Sequence, residues 1–189
     1  MTLNPFRSFK IIGALAVIFI QHTHAQITLS TAYPIIYSSQ DAEHRDLYIT
    51  TLDGSDKKRL TNFAGGNGYS AWSPDGKRIA FYAKYDDRKT WSIHTVNAEG
   101  TNRQRLTQMK DYWDNSPTWS PDGATIAFAR AFTDEEGNRQ FQIWQMNADG
   151  TQQQQIQSLS GGGPYFGPNG QIVYHSQPGP SEIFIANAD

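Results

Sequence analysis

Short apolar runs recur along this chain at a fixed interval, and each is framed by residues that make tight turns. Ile79-Ala80-Phe81-Tyr82, Ile126-Ala127-Phe128-Ala129 and Ile172-Val173-Tyr174-His175 are the clearest. Each follows a box: Trp72-Ser73-Pro74-Asp75-Gly76, Trp119-Ser120-Pro121-Asp122-Gly123, and the weaker Phe166-Gly167-Pro168-Asn169-Gly170. The three prolines are 47 residues apart, and so are the three closing glycines. A polar stretch follows each run, then a second strand-like segment: Trp91 to Val96, Gln142 to Met146, Glu182 to Ala186. Asn97-Ala98-Glu99-Gly100 and Asn147-Ala148-Asp149-Gly150 come next, before short strands at Arg103 to Leu106 and Gln153 to Ile156. An earlier unit lacks the box but keeps Ile35-Ile36-Tyr37, Leu47 to Leu52, Asp53-Gly54 and Lys58 to Leu60.

The turn chemistry explains the punctuation. In Ser-Pro-Asp-Gly, proline presets φ near −65°, aspartate suits the next position, and glycine accepts the left-handed conformation that closes a hairpin. Asn-Ala-Asp-Gly follows the same logic without proline. Beyond Ala25 no segment carries a 3.6-residue apolar period, and runs such as Ile79 to Ala83 are apolar on both faces. Strands of that kind belong to sheets packed between two neighbours. Four-stranded antiparallel sheets repeating every 40–50 residues predict an all-β fold, a β-propeller with about four blades present. The units fall at about 26–62, 63–109, 110–159 and 160–189, the last incomplete. The final residues stop at Asp189 inside another Asn-Ala-Asp turn. A bare sheet edge there would be unusual, so the expectation is a partial sequence, the alternative being a ring closed by Gln26 to Thr31.

These motifs resemble the TolB-like family of WD40-like repeats, also called PD40 repeats. The shared elements are the Trp-Ser-Pro-Asp-Gly box, the Ile-Ala-Phe strand, the Ile143-Trp144 to Thr151 hairpin, and the trailing Arg59-Leu60-Thr61 and Arg105-Leu106-Thr107. The resemblance runs from about Ile35 to the last residue. It implies a propeller and leaves function open, since the motif residues build turns and core.

The N-terminus has a separate pattern. Arg7 and Lys10 precede a ten-residue apolar run, Ile11 to Ile20, with Thr23 and Ala25 at the −3 and −1 places of a cleavage site. A span needs about 20 residues, so residues 1–25 read as a secretory signal peptide and 26–189 as the mature chain. The expected location is periplasmic or secreted, with no stable membrane span after processing. The chain has no cysteine, which excludes disulfides and thiolate metal sites. Its net charge of −2 gives no electrostatic case for nucleic acid.

Candidate chemistry is sparse. No nucleophile elbow, metal-binding histidine spacing or calcium loop is present. His44, His94 and His175 are scattered, and no cofactor is expected. Asp41 and Glu43, Asp86 and Asp87, and Asp134, Glu135 and Glu136 occupy successive hairpin tips, where charge runs are usually solvated. The segment Asp111-Tyr112-Trp113-Asp114-Asn115 links one blade to the next and is expected as a loop lining the central channel. Its aromatics and polar groups could hold a sugar or a peptide. Asn67, Tyr69 and Tyr165 occupy the matching places in the flanking units, beside glycines expected to leave room. The favoured function is a binding propeller for an envelope protein, peptide or glycan. The alternatives are the gating propeller of a larger peptidase, or a polysaccharide-active enzyme using Asp111 and Asp114.

Overall fold

The computed structural model describes residues 35–40, 44–62, 66–84, 90–156, 159–177 and 182–188. Residues 1–25, read above as a signal peptide, residues 26–31, offered as a closing strand, and the carboxylates Asp41, Glu43, Asp86 and Asp87 lie outside them. Among the described residues every regular element is a strand. The first sheet contains β1 (Ile35–Gln40), β2 (Arg45–Thr50) and β3 (Lys57–Arg59). The second blade contains β4 (Asn67–Trp72), β5 (Arg78–Lys84), β6 (Trp91–Asn97) and β7 (Gln104–Arg105). The third contains β8 (Trp113–Trp119), β9 (Thr125–Thr133), β10 (Arg139–Asn147) and β11 (Gln154–Gln155). The fourth contains β12 (Gly161–Phe166), β13 (Ile172–Ser176) and β14 (Ile183–Ala186). Neighbours within a blade pair antiparallel, and one parallel bridge, Trp91 to Trp113, joins the second blade to the third.

The boxes build the first hairpin of each blade as their residues require. Gly76 and Gly123 donate to the Ser73 and Ser120 carbonyls at 2.9 Å, with φ of +69° and +72°. The Ser73 hydroxyl donates to Asp75 and accepts from the Arg78 amide, and Ser120, Asp122 and Thr125 repeat the pattern. Those serine hydrogen bonds hold both aspartates below the ordinary carboxylate range. Gly167 and Gly170 make the same turn without the hydroxyl.

Three apolar layers alternate with the sheets. Leu47, Ile49 and Leu60 pack on Ile79, Phe81 and Val96 between the first two blades. Ala80, Ile93 and Leu106 pack on Trp119, Ile126, Phe128 and Met146 between the next two. Ala127, Ile143 and Ile156 pack on Phe166 and Ile172 in the last layer. Alternate residues of one strand therefore face opposite neighbours, which is why β5 and β9 are apolar on both faces.

The Arg-Leu-Thr motif locks this stacking. Leu60 and Leu106 are buried, while the Thr61 and Thr107 hydroxyls accept the Leu47 and Ile93 amides at 2.9 Å. Arg59 and Arg105 donate back to the threonine carbonyls. Between blades, the Trp119 indole donates to the Ala71 carbonyl, and Gln153 donates to the Leu106 carbonyl. β8 packs between β4 and β12, so the first strands of successive blades lie side by side.

Candidate ligand-binding face

The first strands of blades two to four begin at the end of the sheets where the second and third strands are joined by hairpins. In blade three, two features treated separately in the sequence, the inter-blade segment before β8 and the acidic tip Asp134 to Glu136, thus share one face. Each first strand also carries a bulge: the register shifts between Gly68 and Ser70, between Asn115 and Thr118, and between Gly162 and Tyr165. Within the bulges Tyr69, Ser116 and Gly163, each 47 residues from the next, hold φ of +35°, +51° and +57°.

The structure disperses the candidate residues among several roles. Asp111 is exposed in the turn before β8, at φ +65°. Tyr112 is half-buried, its ring 5.2 Å from Phe132 and from the Arg130 guanidinium. Trp113, Asp114 and Asn115 belong to strand β8, which corrects the expectation of a loop through Asn115. Trp113 is half-buried beneath the Arg139 guanidinium, 4.1 Å from its ring.

Asp114 is not a free ligand group. It is buried and clasped by the fully buried Arg130, with Nε donating to Oδ1 at 2.7 Å and Nη2 to Oδ2 at 2.9 Å. Arg130 lies 4.2 Å over Trp144 and 5.2 Å over Phe128. Asn115 turns onto its own strand and accepts the Ser116 hydroxyl at 2.9 Å. Asn67, at the place of Asp114 one unit earlier, is also buried. Its amide donates to the Arg45 carbonyl, Asp46 and Thr61.

Two aromatics do reach solvent, Tyr69 at 69% and Tyr165 at 46% exposure. Tyr165, however, pairs with Val173 next to the β12–β13 turn and so lies past the bulge, at the opposite end of its strand, which corrects the expectation that it matches Tyr69. The glycines near the starts of β4 and β12 do not leave open space. A Cβ on Gly68 would sit 2.5 Å from the Tyr82 hydroxyl, and one on Gly162 would sit 3.1 Å from the His175 ring. In both blades an aromatic from the second strand lies across a glycine of the first. Blade three exchanges the pair for Asn115 opposite Ala129.

Sequence reading missed Arg130, Arg45, Tyr82, Trp91 and Arg139 as parts of this end. A charged residue inside the apolar run of β9 was the one available signal for Arg130.

Asp46, Asp114 and Asp134 serve structure, whereas Asp111 is exposed. Asp134 accepts from the Asn138 amide and from Gln140, closing the β9–β10 hairpin, and the Gln140 bond lowers its pKa. Glu135 and Glu136 are exposed at its tip. Among the described residues no three His, Asp or Glu groups converge on a possible metal position. His94 is buried against Phe81, and burial, with help from Arg103 and Arg105, lowers its pKa to about 3.

Stacked antiparallel blades repeating in this way define a β-propeller. The family model described as PD40, TolB beta propeller domain, matches residues 28–189, and the chain belongs to that family. No curated protein sequence matches it significantly. TolB from Acinetobacter baumannii is similar at 24% identity and a TM-score of 0.65, with 79% of this chain and 38% of that one covered. A putative TolB from Agrobacterium tumefaciens gives 22% identity and 0.60, covering 80% and 53%. A puromycin hydrolase gives 20% and 0.58, covering 76% and 25%. The chain thus spans about half or less of these proteins. At such identities the likeness concerns the fold alone.

Proposed function

We propose that this propeller is an exported binding module, working in the periplasm and engaging an envelope protein, peptide or glycan through the end where its first strands begin. The observation that carries the reading is the division of labour at that end. Its aromatic groups are exposed or half-exposed, while Asp114, Asp46 and Asp134 are all engaged in internal hydrogen bonds. An enzyme using Asp111 and Asp114 as a carboxylate pair would need Asp114 to leave Arg130, and a buried ion pair costs several kcal/mol to break. Aromatic faces flanked by polar groups suit recognition instead.

The test uses the mature chain immobilised and challenged with periplasmic extract and with a panel of glycans. Trp113→Ala should reduce capture by roughly tenfold, the scale of a truncated hot spot. Its melting should stay close to the parent. Undiminished capture by this variant would overturn the placement of the face, and marked unfolding would return the residue to inter-blade packing.

A further inference from the structure

Tyr69 is held where a tyrosine has least reason to be. Its φ of +35° lies in the left-handed region, which costs a non-glycine residue on the order of 1–3 kcal/mol. The equivalent place in blade four is already Gly163, so the bulge itself does not require a side chain. Nor does burial compensate, since Tyr69 is 69% exposed.

The surroundings of Tyr69 are organised around rings. Its own ring lies 5.8 Å from Tyr82, and Tyr82 stands edge-on to Trp91 at 4.5 Å. Gly68 vacates the space that the Tyr82 ring fills. Two cations border the cluster. Arg45, exposed at the start of β2, has its Cβ 3.9 Å from where a Cβ on Gly66 would sit, and its charge acts on the Tyr82 hydroxyl, while Lys84 lies 5.4 Å over Trp91. The adjacent carboxylate, Asp46, is buried and already held by Arg59, Thr61 and Asn67.

We propose that Tyr69, Tyr82, Trp91, Arg45 and Lys84 form a subsite for an acidic sugar, a uronate residue of an oligosaccharide. The pyranose C–H face stacks on Tyr69, and the carboxylate pairs with Arg45, with Lys84 adding charge at the rim. The exposed ring face meets the flat face of a sugar, and a guanidinium matches a carboxylate's two oxygens. An extended peptide fits less well, because adding a strand to β4 needs a regular ladder, and the bulge at Tyr69 breaks it. The inference rests on the proposed reading of this end as a binding face and names the ligand class for blade two.

The experiment is calorimetric titration of the mature chain with hexagalacturonate and with neutral cellohexaose at low salt. Hexagalacturonate should bind at least roughly tenfold more tightly, about 1.4 kcal/mol. Tyr69→Gly should lose that binding while its melting temperature stays within about 2 °C of the parent, since glycine relieves the backbone. Arg45→Gln should bring hexagalacturonate down to the affinity of cellohexaose and leave cellohexaose unchanged. Equal affinity for the two sugars, retained binding in Tyr69→Gly, or a large fall in its melting temperature would each overturn the proposal. So would failure of hexagalacturonate to bind; capture of an envelope protein dependent on Trp113 would then leave the broader binding reading standing.

Discussion

Gly123 ends its turn at φ +72°, and a Cβ there would meet the Pro74 ring of the preceding blade at 3.5 Å. Space is therefore adequate and the backbone is the constraint. Gly123→Val should cost on the order of 1–3 kcal/mol, because a β-branched residue pays the left-handed penalty in full; an unchanged melting temperature would contradict the turn. His94 makes a different kind of demand. Its folded pKa of about 3 lies below the ordinary histidine value, so between those two values the unfolded chain binds the extra proton. The stabilisation from keeping His94 neutral is complete above about pH 6.5 and is lost as pH falls toward 3. His94→Phe should flatten stability against pH over the upper part of that window, where the carboxylates have not yet protonated. Chemical denaturation at several pH values from 7 to 4 reads this directly, and identical slopes in parent and variant would refute it. At this scale the glycine was legible, since its box carries proline and aspartate ahead of it. Tyr69 was not: its strain comes from a bulge set by pairing with β5, and nothing in the local residues Gly68 and Ser70 announces a register shift.

Within and between elements the recurring motifs turn out to be seams. Gly150 holds φ +89°, and a Cβ there would approach Leu106 of the previous blade to 3.2 Å, while Gly100 stands in the same relation to Leu60. The Asn-Ala-Asp-Gly glycines thus serve both turn geometry and blade contact, and only the first role could be read from the turn pattern. The strand pairing of Asp114 with Arg130 was hidden for a related reason. The two are 16 residues apart, and their meeting depends on the β8–β9 register. Asp114 beside two aromatics reads as a binding group until Arg130 is placed opposite it. Removing one partner should be far worse than removing both. Asp114→Ala leaves a buried guanidinium uncompensated and should cost about 3–5 kcal/mol. Asp114→Leu with Arg130→Met replaces the pair by apolar bulk between Phe128 and Trp144, and should recover most of that loss. Equal destabilisation by the single and double variants would show that the pair is not coupled.

Across the whole molecule, protection from solvent is uneven, and the repeat makes the unevenness interpretable. Ile93 pairs with Tyr82, Ile143 with Ala129 and Ile183 with His175, so the three isoleucines are equivalent. Ile93 and Ile143 are fully buried against the following blade, whereas Ile183 is 78% exposed and Ile185, two residues on, is 67% exposed. On the other side of β14, Phe184 stacks on its cross-strand partner Tyr174 at 5.6 Å and is still 40% exposed. β14 therefore packs on no strand but β13 among the described residues, while β9 and β10 have apolar neighbours on both faces. Local opening requires losing only the contacts a strand has, so the opening free energy should rise from β14 to β9. Hydrogen exchange followed by mass spectrometry on residues 26–189 should show β13 and β14 exchanging well before β9 and β10, with β5 and β6 close to the latter. Ile143→Thr should then lower the melting temperature clearly, and Ile183→Thr should scarcely move it. If β14 proves as protected as β10, and Ile183→Thr as costly as Ile143→Thr, the outer face of blade four is covered in solution by another layer of structure.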